Sequence, residues 1–397
     1  MLNTPFTPWP LFTEEEAAAV SRTLLSNRVN YWTGTETRAF EQAFAAWCDC
    51  EHAVALSNGT LALDLALRAL EIGPGDEVVV TPRSFIASVS CVITAGATPV
   101  FADVDRDTQN LSAATIEAVL TPATRAIIVV HLAGRPAEMD PIMALAERHG
   151  LKVIEDCAQA HGARYRDRPV GSIGHIGAWS FCQDKIMTTG GEGGMVTTRD
   201  PALWRRMWEY KDHGKSYAAV HEREHPPGFR WLHESFGTNW RMLEMQAVIG
   251  RIQLARMPAW QAARAAHAQR ILDACAAQPW LRVPALPAHI VHAAYRAYAF
   301  IEPDRLPSGW TRDRVVQAIV DAGVPCFQGT CSEIYREGAF EGTGFRPPAP
   351  LPVARELGEC SLMFLTHPTL SDAEIERTVA AIGQVGRAMA GRDTDAA

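Results

Sequence analysis

Between about residues 50 and 200, short apolar runs alternate with stretches of helical character. The seven strand-like runs are Ala53–Leu56, Glu77–Thr81, Pro99–Ala102, Ala126–His131, Lys152–Glu155, Gly177–Phe181 and Gly194–Thr198. The helical stretches between them include Thr60–Glu71, Phe85–Ala95 and Pro136–His149. Parallel strands need a long crossover connection, usually a helix, so this alternation predicts an α/β domain. We expect a mostly parallel, seven-stranded sheet flanked by helices.

The pattern changes after this region. Residues 240–279 predict one long helix with a kink at Pro258, because proline removes a helical hydrogen bond. Beyond residue 280 a strand over Tyr295–Ile301 and helices over Arg312–Ala322 and Asp372–Met389 predict an α+β arrangement.

Three parts of the chain follow from these patterns. Thr13 with Glu16 three residues later predicts the start of a helix near the N-terminus. We therefore expect an N-terminal arm and helix over residues 1–30 and a large domain over 31–255. A smaller C-terminal α+β domain would cover 256–397.

Charge and cysteine content restrict the ligands. The formal net charge is −8, so the overall field does not attract nucleic acid or anionic lipid, and an anionic ligand needs a local pocket. The nine cysteines include one close pair, Cys48 and Cys50, without zinc-like spacing. We expect no metal site, free thiols and a cytoplasmic location. Neither a signal peptide nor a membrane-spanning run is expected.

Two candidate ligand-binding segments follow predicted strands. Gly59 and Thr60 lie where a strand leads into a helix, and a helix N-terminus favours an anion. Taken alone, this segment is better interpreted as an ordinary strand-to-helix turn. Glu155 and Asp156 end an apolar strand, and such carboxylates point into the ligand crevice of a parallel sheet. The alternative for Asp156 is a helix cap.

Lys185 follows another predicted strand and precedes a glycine cluster over Gly190–Gly194. Lysines are usually solvated at the surface. Low-charge, aromatic surroundings here predict instead a lowered pKa and a nucleophilic amine. Together, a lysine, an aspartate and a helix N-terminus match pyridoxal phosphate (PLP), which needs a Schiff-base lysine, a carboxylate at its ring nitrogen and an anion site for its phosphate.

The order of motifs along the chain resembles the DegT/DnrJ/StrS family of PLP-dependent sugar aminotransferases. The matching motifs are Asn58-Gly59-Thr60, Phe85-Ile-Ala-Ser88, Glu155-Asp156-Cys-Ala-Gln159-Ala-His161-Gly162, Ser180-Phe181…Lys185…Gly191-Glu-Gly-Gly194 and Gly237-Thr-Asn239-Trp-Arg241. The resemblance covers about residues 10 to 385. It implies the PLP transferase fold of type I and a homodimer with shared active sites.

The resemblance also implies a role for each matched residue. Lys185 would carry PLP and move the proton during catalysis. The other cofactor-binding residues would be Gly59, Thr60 and Ser180 at the phosphate, Phe85 on the ring face, Asp156 at the ring nitrogen, Gln159 at the phenolic oxygen, and Asn239 from the partner subunit.

The substrate-binding residues are less defined. Relatives bind their nucleotide-sugar through loops that correspond to His213 and the region before Asn239, where this chain has Arg230 and Trp231. Arg230 could balance a diphosphate and Trp231 could pack on a sugar or base. A surface loop with one aromatic anchor is an equal alternative. The stretch Phe327–Tyr335 departs from the pattern of many relatives.

The resemblance implies transfer of an amino group from glutamate to a keto nucleotide-sugar. We favour C4 of a UDP-2-acetamido-4-keto-6-deoxyhexose, for surface polysaccharide such as lipopolysaccharide O-antigen. The alternatives are C3 of a dTDP- or GDP-keto-deoxysugar, or a non-catalytic PLP-binding regulator. Related dehydratases have histidine in place of Lys185, which argues against dehydration. A dinucleotide site at Gly171–Gly177 has the wrong glycine spacing.

Overall fold

The computed structural model describes residues 4–224, 228 and 230–391. Its helices are α1 (Glu14–Leu25), α2 (Glu36–Trp47), α3 (Gly59–Ala69), α4 (Ala87–Thr94), α5 (Ala113–Glu117), α6 (Met139–His149), α7 (Pro201–Tyr210), α8 (Tyr217–His221), α9 (Glu244–Ala276), α10 (Arg312–Asp321), α11 (Pro352–Cys360) and α12 (Asp372–Ala390). Its strands are β1 (His52–Leu56), β2 (Glu77–Val80), β3 (Thr98–Phe101), β4 (Thr124–Val130), β5 (Lys152–Asp156), β6 (Arg164–Tyr165), β7 (Arg168–Pro169), β8 (Ile176–Ser180), β9 (Gly194–Thr198), β10 (Leu281–Arg282), β11 (Ile290–Val291), β12 (Arg296–Ile301), β13 (Cys326–Phe327) and β14 (Ser361–Leu365).

The large sheet has seven strands in the order β1-β9-β8-β5-β4-β2-β3. Only β9 runs antiparallel to its neighbours, and the other pairings are parallel. Runs such as Ala126–Val130 are buried on both faces, which explains why they are continuously apolar rather than alternating. All seven predicted strands and the predicted mostly parallel α/β fold are confirmed.

Strands β1, β8, β5, β4 and β2 end at one edge of this sheet, because β9 is the only strand that runs the other way. The segments that follow these strands contain Asn58, Lys185, Gln159, His131 and Phe85, respectively. In open α/β sheets the crevice at the carboxyl ends of the strands is where ligands bind. The topology therefore brings the predicted cofactor residues to one edge.

The long helix α9 extends over 33 residues and continues past Pro258. In its first part, Gln253 accepts a hydrogen bond from the Thr188 amide (2.9 Å) and donates to Glu16 of α1 (2.8 Å). In its second part, Arg270 pairs with Asp372 of α12 at 2.8 Å. The helix thus joins the N-terminal part of the chain to its C-terminal part, and the predicted boundary between residues 255 and 256 stays a prediction.

The C-terminal part contains a second, antiparallel sheet in the order β10-β12-β14-β13, which we call the C-terminal sheet. Helices α10, α11 and α12 pack with it around apolar residues such as Phe300, Ile319 and Leu357. This arrangement is the α+β pattern expected after residue 280.

The N-terminal residues 4–12 form an arm that lies against both parts. The predicted capping interaction is present, since Glu16 accepts hydrogen bonds from the amide (2.7 Å) and hydroxyl (3.0 Å) of Thr13. Trp9 donates from its indole to the carbonyl of Lys185 at 2.8 Å, and Thr369 donates to the carbonyl of Pro8 at 2.9 Å. The arm therefore connects Lys185 to the C-terminal part.

Two observations concern the chain as a whole. All nine cysteines have free thiols. Across residues 4–224, 228 and 230–391, none of the helices combines the length and apolarity required to cross a bilayer.

Candidate active site

The predicted phosphate site lies where β1 leads into α3. The side chain of Asn58 caps this helix by accepting a hydrogen bond from the Leu61 amide at 3.0 Å. The amides of Gly59 and Thr60 precede the capped amide, and Thr60 is exposed. A Cβ atom at Gly59 would overlap Ser180, so only glycine allows the helix start to pack on the end of β8. This geometry provides the helix N-terminus that an anion requires.

Asp156 ends β5 and is 5% exposed. Its Oδ2 accepts a hydrogen bond from the Ser88 hydroxyl at 2.7 Å, and its Oδ1 accepts one from the Ala158 amide at 3.1 Å. The carboxylate is therefore held in one place between α4 and the loop after β5. The sequence motif included Ser88, but no role was predicted for it.

Gln159 and Phe85 have the properties that their predicted roles need. The Gln159 Oε1 atom accepts a hydrogen bond from the Ala133 amide at 2.8 Å, which leaves the side-chain NH2 group as a donor. Phe85 is 66% exposed although it is a large aromatic side chain. An exposed aromatic ring at a crevice is available to contact a planar ligand.

Lys185 is half-buried in the loop after β8, and its Nζ atom lies 5.4 Å from the centroid of the Tyr295 ring. Tyr295 donates a hydrogen bond from its hydroxyl to Asp184, and Arg296 lies 3.7 Å from the same carboxylate. Asp184, Tyr295 and Arg296 thus form a charged group directly beside Lys185. Sequence reasoning did not identify any of the three.

This group makes the predicted direction of the Lys185 pKa wrong. Burial lowers the pKa of Lys185, but the negative charges of Asp184 and Asp156 act in the opposite direction, and the net pKa is raised. The prediction left out the carboxylate of Asp184, which is adjacent to Lys185 in sequence. The carboxylate of Asp156 comes from another strand, β5, and could not be counted from neighbours along the chain.

Glu155, the other carboxylate at the end of β5, is buried on the opposite side of the strand from Asp156. It accepts hydrogen bonds from His131 (3.0 Å) and from the amides of Gly171 (2.9 Å), Ile173 (2.8 Å) and Gly174 (2.6 Å). Glu155 is therefore structural rather than a crevice residue. A dinucleotide site at Gly171–Gly177 would need these same amides to bind its phosphate. Because Glu155 already accepts their hydrogen bonds, the structure does not support a dinucleotide site there.

His131, Glu155 and Cys157 lie close enough together to hold a metal ion. However, the Nδ1 atom of His131 accepts a hydrogen bond from the Ala137 amide at 3.1 Å, so its Nε2 carries the proton that is donated to Glu155. Both nitrogens and both Glu155 oxygens are thus already occupied. The cluster fixes the ends of β4 and β5.

Asn239 is exposed, and the backbone next to it is joined to the loop after β1, because the amide of Ser57 donates to the carbonyl of Trp240 at 3.1 Å. The backbone of His213, which has a φ of 62°, is bonded to Thr238 at 2.9 Å. Between them, Arg230 is exposed and Trp231 is 84% exposed. Residues 225–227 and 229 of this loop lie outside the described residues.

The residues at the crevice match each chemical demand of PLP. Lys185 would supply the amine, Asp156 a fixed carboxylate for the ring nitrogen, and Gln159 a donor for the phenolic oxygen. The N-terminus of α3 beside Ser180 supplies the anion site. The described side chains therefore fit the cofactor that the sequence predicts.

Comparison with known proteins agrees with this fit. The model of the DegT/DnrJ/EryC1/StrS aminotransferase family matches residues 10–383. A solved aminotransferase from Psychrobacter cryohalolentis is 64% identical, has a TM-score of 0.96, and the match covers 97% of this chain and 100% of that one.

Two relatives have more specific names. The dTDP-3-amino-3,4,6-trideoxy-alpha-D-glucose transaminase of Streptomyces venezuelae is 43% identical over 270 residues, which is 68% of each chain. The GDP-perosamine synthase of Caulobacter vibrioides is 39% identical over 357 residues, 87% of this chain and 89% of that one. Both names refer to sugars linked to a nucleotide.

Proposed function

The chain belongs to the DegT/DnrJ/EryC1/StrS aminotransferase family, and from this we propose that it moves the amino group of glutamate to C4 of a UDP-linked 2-acetamido-4-keto-6-deoxyhexose. It is a transaminase of nucleotide-sugars, and its cofactor is pyridoxal phosphate. The choice of glutamate, of C4 and of the UDP-sugar rests on the resemblance of the sequence motifs. The amino sugar would serve surface polysaccharide synthesis.

The observation that carries the proposal is that Asp156 ends β5 and Lys185 follows the neighbouring strand β8, so both lie at one edge of the sheet. Bound PLP supplies an electron sink that lets the α-proton of an amino acid leave. Asp156, held by Ser88, would bind the ring nitrogen. Gln159 would donate to the phenolic oxygen, and the α3 N-terminus would bind the phosphate.

We propose that Lys185 takes the α-proton from the amino donor and later returns a proton to the sugar carbon. This role requires a neutral amine. The charge of Asp156 is one of those that raise the pKa of Lys185. When Asp156 is paired with a cationic ring nitrogen, that part of the upward shift is removed, which favours the neutral base.

We further propose a homodimer in which Asn239 reaches the active site of the partner. Asn239 is exposed, and nearby Phe236 is fully exposed, which is typical of a large apolar side chain at an interface. We test shared sites by mixing two inactive variants, Lys185→Ala and Asn239→Ala. Restored activity in the mixture supports sharing, because one site of each mixed dimer is then intact. No restoration places both residues in one chain's site.

We propose that His213, Arg230 and Trp231 contact the nucleotide-sugar outside the cofactor site. Exposure of Arg230 and Trp231 on one loop supports this, since both are free to meet a ligand. An Arg230→Met variant should raise the KM for the nucleotide-sugar and leave the reaction with glutamate unchanged. An unchanged KM would mean that the segment with Arg230 is a surface loop without a substrate contact.

We also propose a cytoplasmic location. The nine free thiols support it, because thiols stay reduced in a reducing compartment.

The substrate is tested with a panel of UDP-, dTDP- and GDP-linked keto-sugars in the presence of PLP and glutamate. Mass spectrometry identifies the aminated products, and NMR assigns the carbon that carries nitrogen. A C3 amine is the second candidate, because the Streptomyces venezuelae relative is named for a 3-amino sugar. Amination of a small keto acid but of no keto-sugar would overturn the proposed substrate class.

The same protein tests the regulator alternative. Glutamate added without a keto-sugar should convert the absorbance of the lysine-bound cofactor to that of its amino form. If the spectrum never changes, the protein binds PLP without transferring amino groups.

A further inference from the structure

Arg83 is fully buried between the large sheet and the C-terminal sheet. Its Nε and Nη2 atoms donate to the Oε1 atom of Gln109 at 3.1 and 2.8 Å. Its Nη1 donates to the Ser332 hydroxyl and its Nη2 to the Ser361 hydroxyl, each at 2.7 Å. One side chain therefore joins the loop after β2 to two separate segments of the C-terminal part.

Two of these acceptors are oriented by hydrogen bonds of their own. The Ser332 hydroxyl donates its own proton to the carbonyl of Ala354, and the Ser361 hydroxyl donates to that of Leu357, so both oxygens face Arg83 as acceptors. The planar guanidinium can meet three such groups at once, which a lysine ammonium on a flexible stem does less well.

All three of these acceptor side chains, Gln109, Ser332 and Ser361, are neutral. Burial lowers the pKa of the Arg83 guanidinium, because the charged form has lost its water. Burying a charge is costly unless it is both paired and hydrogen-bonded, and the acceptors here supply hydrogen bonds without an opposite charge. The positions that Arg83 imposes on these groups therefore explain an arginine at this place better than its buried charge does.

Arg83 holds together two segments that border the crevice. One is the Phe85 loop, residues 81–86, whose Pro82 carbonyl accepts a hydrogen bond from the Ile334 amide at 2.9 Å. The other is the C-terminal segment 328–332. In it, the Thr330 amide donates to the Tyr298 hydroxyl at 3.1 Å, and a Cβ atom at Gly329 would lie 2.7 Å from the Tyr298 ring.

We infer that Arg83 is a positioning residue that fixes segment 328–332 beside Phe85 and so sets the wall that the nucleotide-sugar contacts. The inference rests on the proposed function, in which the second substrate is much larger than the amino donor. An amino acid needs only the cofactor end of the crevice. A nucleotide-sugar would extend past Phe85 and would meet the side chains of Gln328 and Cys331, which are exposed.

The test compares Arg83→Met with Arg312→Met. Arg312 is the matched control because it also bonds near Ser361, at the carbonyls of Gly358 and Ser361, but stays within the C-terminal part. For Arg83→Met we expect the KM for the nucleotide-sugar to rise about tenfold or more, with the glutamate half-reaction within about twofold of the unmutated protein. Arg312→Met should change neither.

A second measurement does not depend on activity. Hydrogen exchange at the amides of Thr330 and Ile334 should become faster in Arg83→Met and stay unchanged in Arg312→Met. If Arg83→Met does not fold, the double variant Ser332→Ala with Ser361→Ala removes two acceptors and keeps the Gln109 contact. We then expect the same result, a raised KM for the nucleotide-sugar with a nearly unchanged glutamate half-reaction.

An unchanged KM, unchanged exchange, or an equal loss in both half-reactions would overturn the inference. Failure of the proposed function looks different, because the unmutated protein would then aminate none of the nucleotide-sugars.

Discussion

The hydroxyl of Ser88 in α4 donates a hydrogen bond of 2.7 Å to Oδ2 of Asp156 in β5, although the two residues are 68 positions apart in sequence. Ser88 also lies 3.0 Å from the hydroxyl of Ser84, so this carboxylate is supported by a short chain of hydroxyl groups. The position of the proposed partner of the PLP ring nitrogen is therefore set by α4.

Ser88→Ala should weaken PLP binding about tenfold, because a buried carboxylate oxygen left without its donor costs about 1–3 kcal/mol. A titration of the apo-protein with PLP measures the affinity. Ser90→Ala in the same helix is the control and should bind PLP normally. Equal affinities for both variants would mean that Ser88 does not position Asp156.

Lys185→Ala should lower turnover by about 10²–10⁴-fold or more, since it removes both the cofactor linkage and the proposed base. The chain has four lysines, at positions 152, 185, 211 and 215, so borohydride reduction followed by peptide mapping identifies the linked one. Lys152→Ala, at an exposed position, should keep full activity. A label on any other lysine contradicts the assignment.

Asp184→Asn should lower the pKa of Lys185, because the Asp184 carboxylate is one of the negative charges that raise it. The sign follows directly: with a lower pKa, more of the amine is neutral at a given pH. We therefore expect the apo-protein variant to capture PLP faster near pH 8, with its rate–pH profile displaced to lower pH. Asp372→Asn, far from Lys185, serves as control. An unshifted profile would show that Asp184 does not act on Lys185.

Glu155→Gln should destabilise the fold by about 3 kcal/mol at pH 7, because it breaks a buried charged network. Burial raises the pKa of Glu155, but His131 and the amides of Gly171 and Gly174 outweigh it, and the pKa is lowered from 4.5. A carboxyl with a lowered folded-state pKa stabilises the fold above about pH 4.5 and loses that contribution as the pH falls further.

Urea unfolding measures this difference. The difference in the free energy of unfolding between the unmutated protein and Glu155→Gln should shrink as the pH falls below 4.5. Glu147→Gln, at an exposed position, should differ little from the unmutated protein at any pH. A gap that is constant with pH would contradict ionised Glu155 as the source.

Much of the fold could be predicted from the sequence, because strands such as Val78–Val80 are uniformly apolar and are separated by helices of ordinary length. The position of Asp156 and Lys185 at one edge of the sheet could be predicted too, since parallel strands end at the same edge. Both inferences depend on patterns that are local along the chain.

What the sequence could not predict involves contacts between distant segments. Tyr295 binds Asp184 across 111 residues, and Arg83 binds Ser361 across 278. No periodicity of the sequence connects such pairs. The charged groups around Lys185 and the hydrogen bonds of Arg83 could therefore be identified only from the structure. The two carboxylates of β5 looked equivalent in sequence, and only the pleat of the strand separates them.

The N-terminal arm has a consequence for how the chain reaches its final state. Thr7 bonds to Glu374, 367 residues further on, and Trp9 bonds to the backbone of Lys185. The Thr7–Glu374 contact closes the longest loop of those described, so it has the highest loop-closure entropy among them and cannot form until Glu374 has been synthesised. The bond from Trp9 to the backbone of Lys185 spans only 176 residues, so the loop that carries Lys185 can contact the arm before the C-terminal partners of the arm have been synthesised.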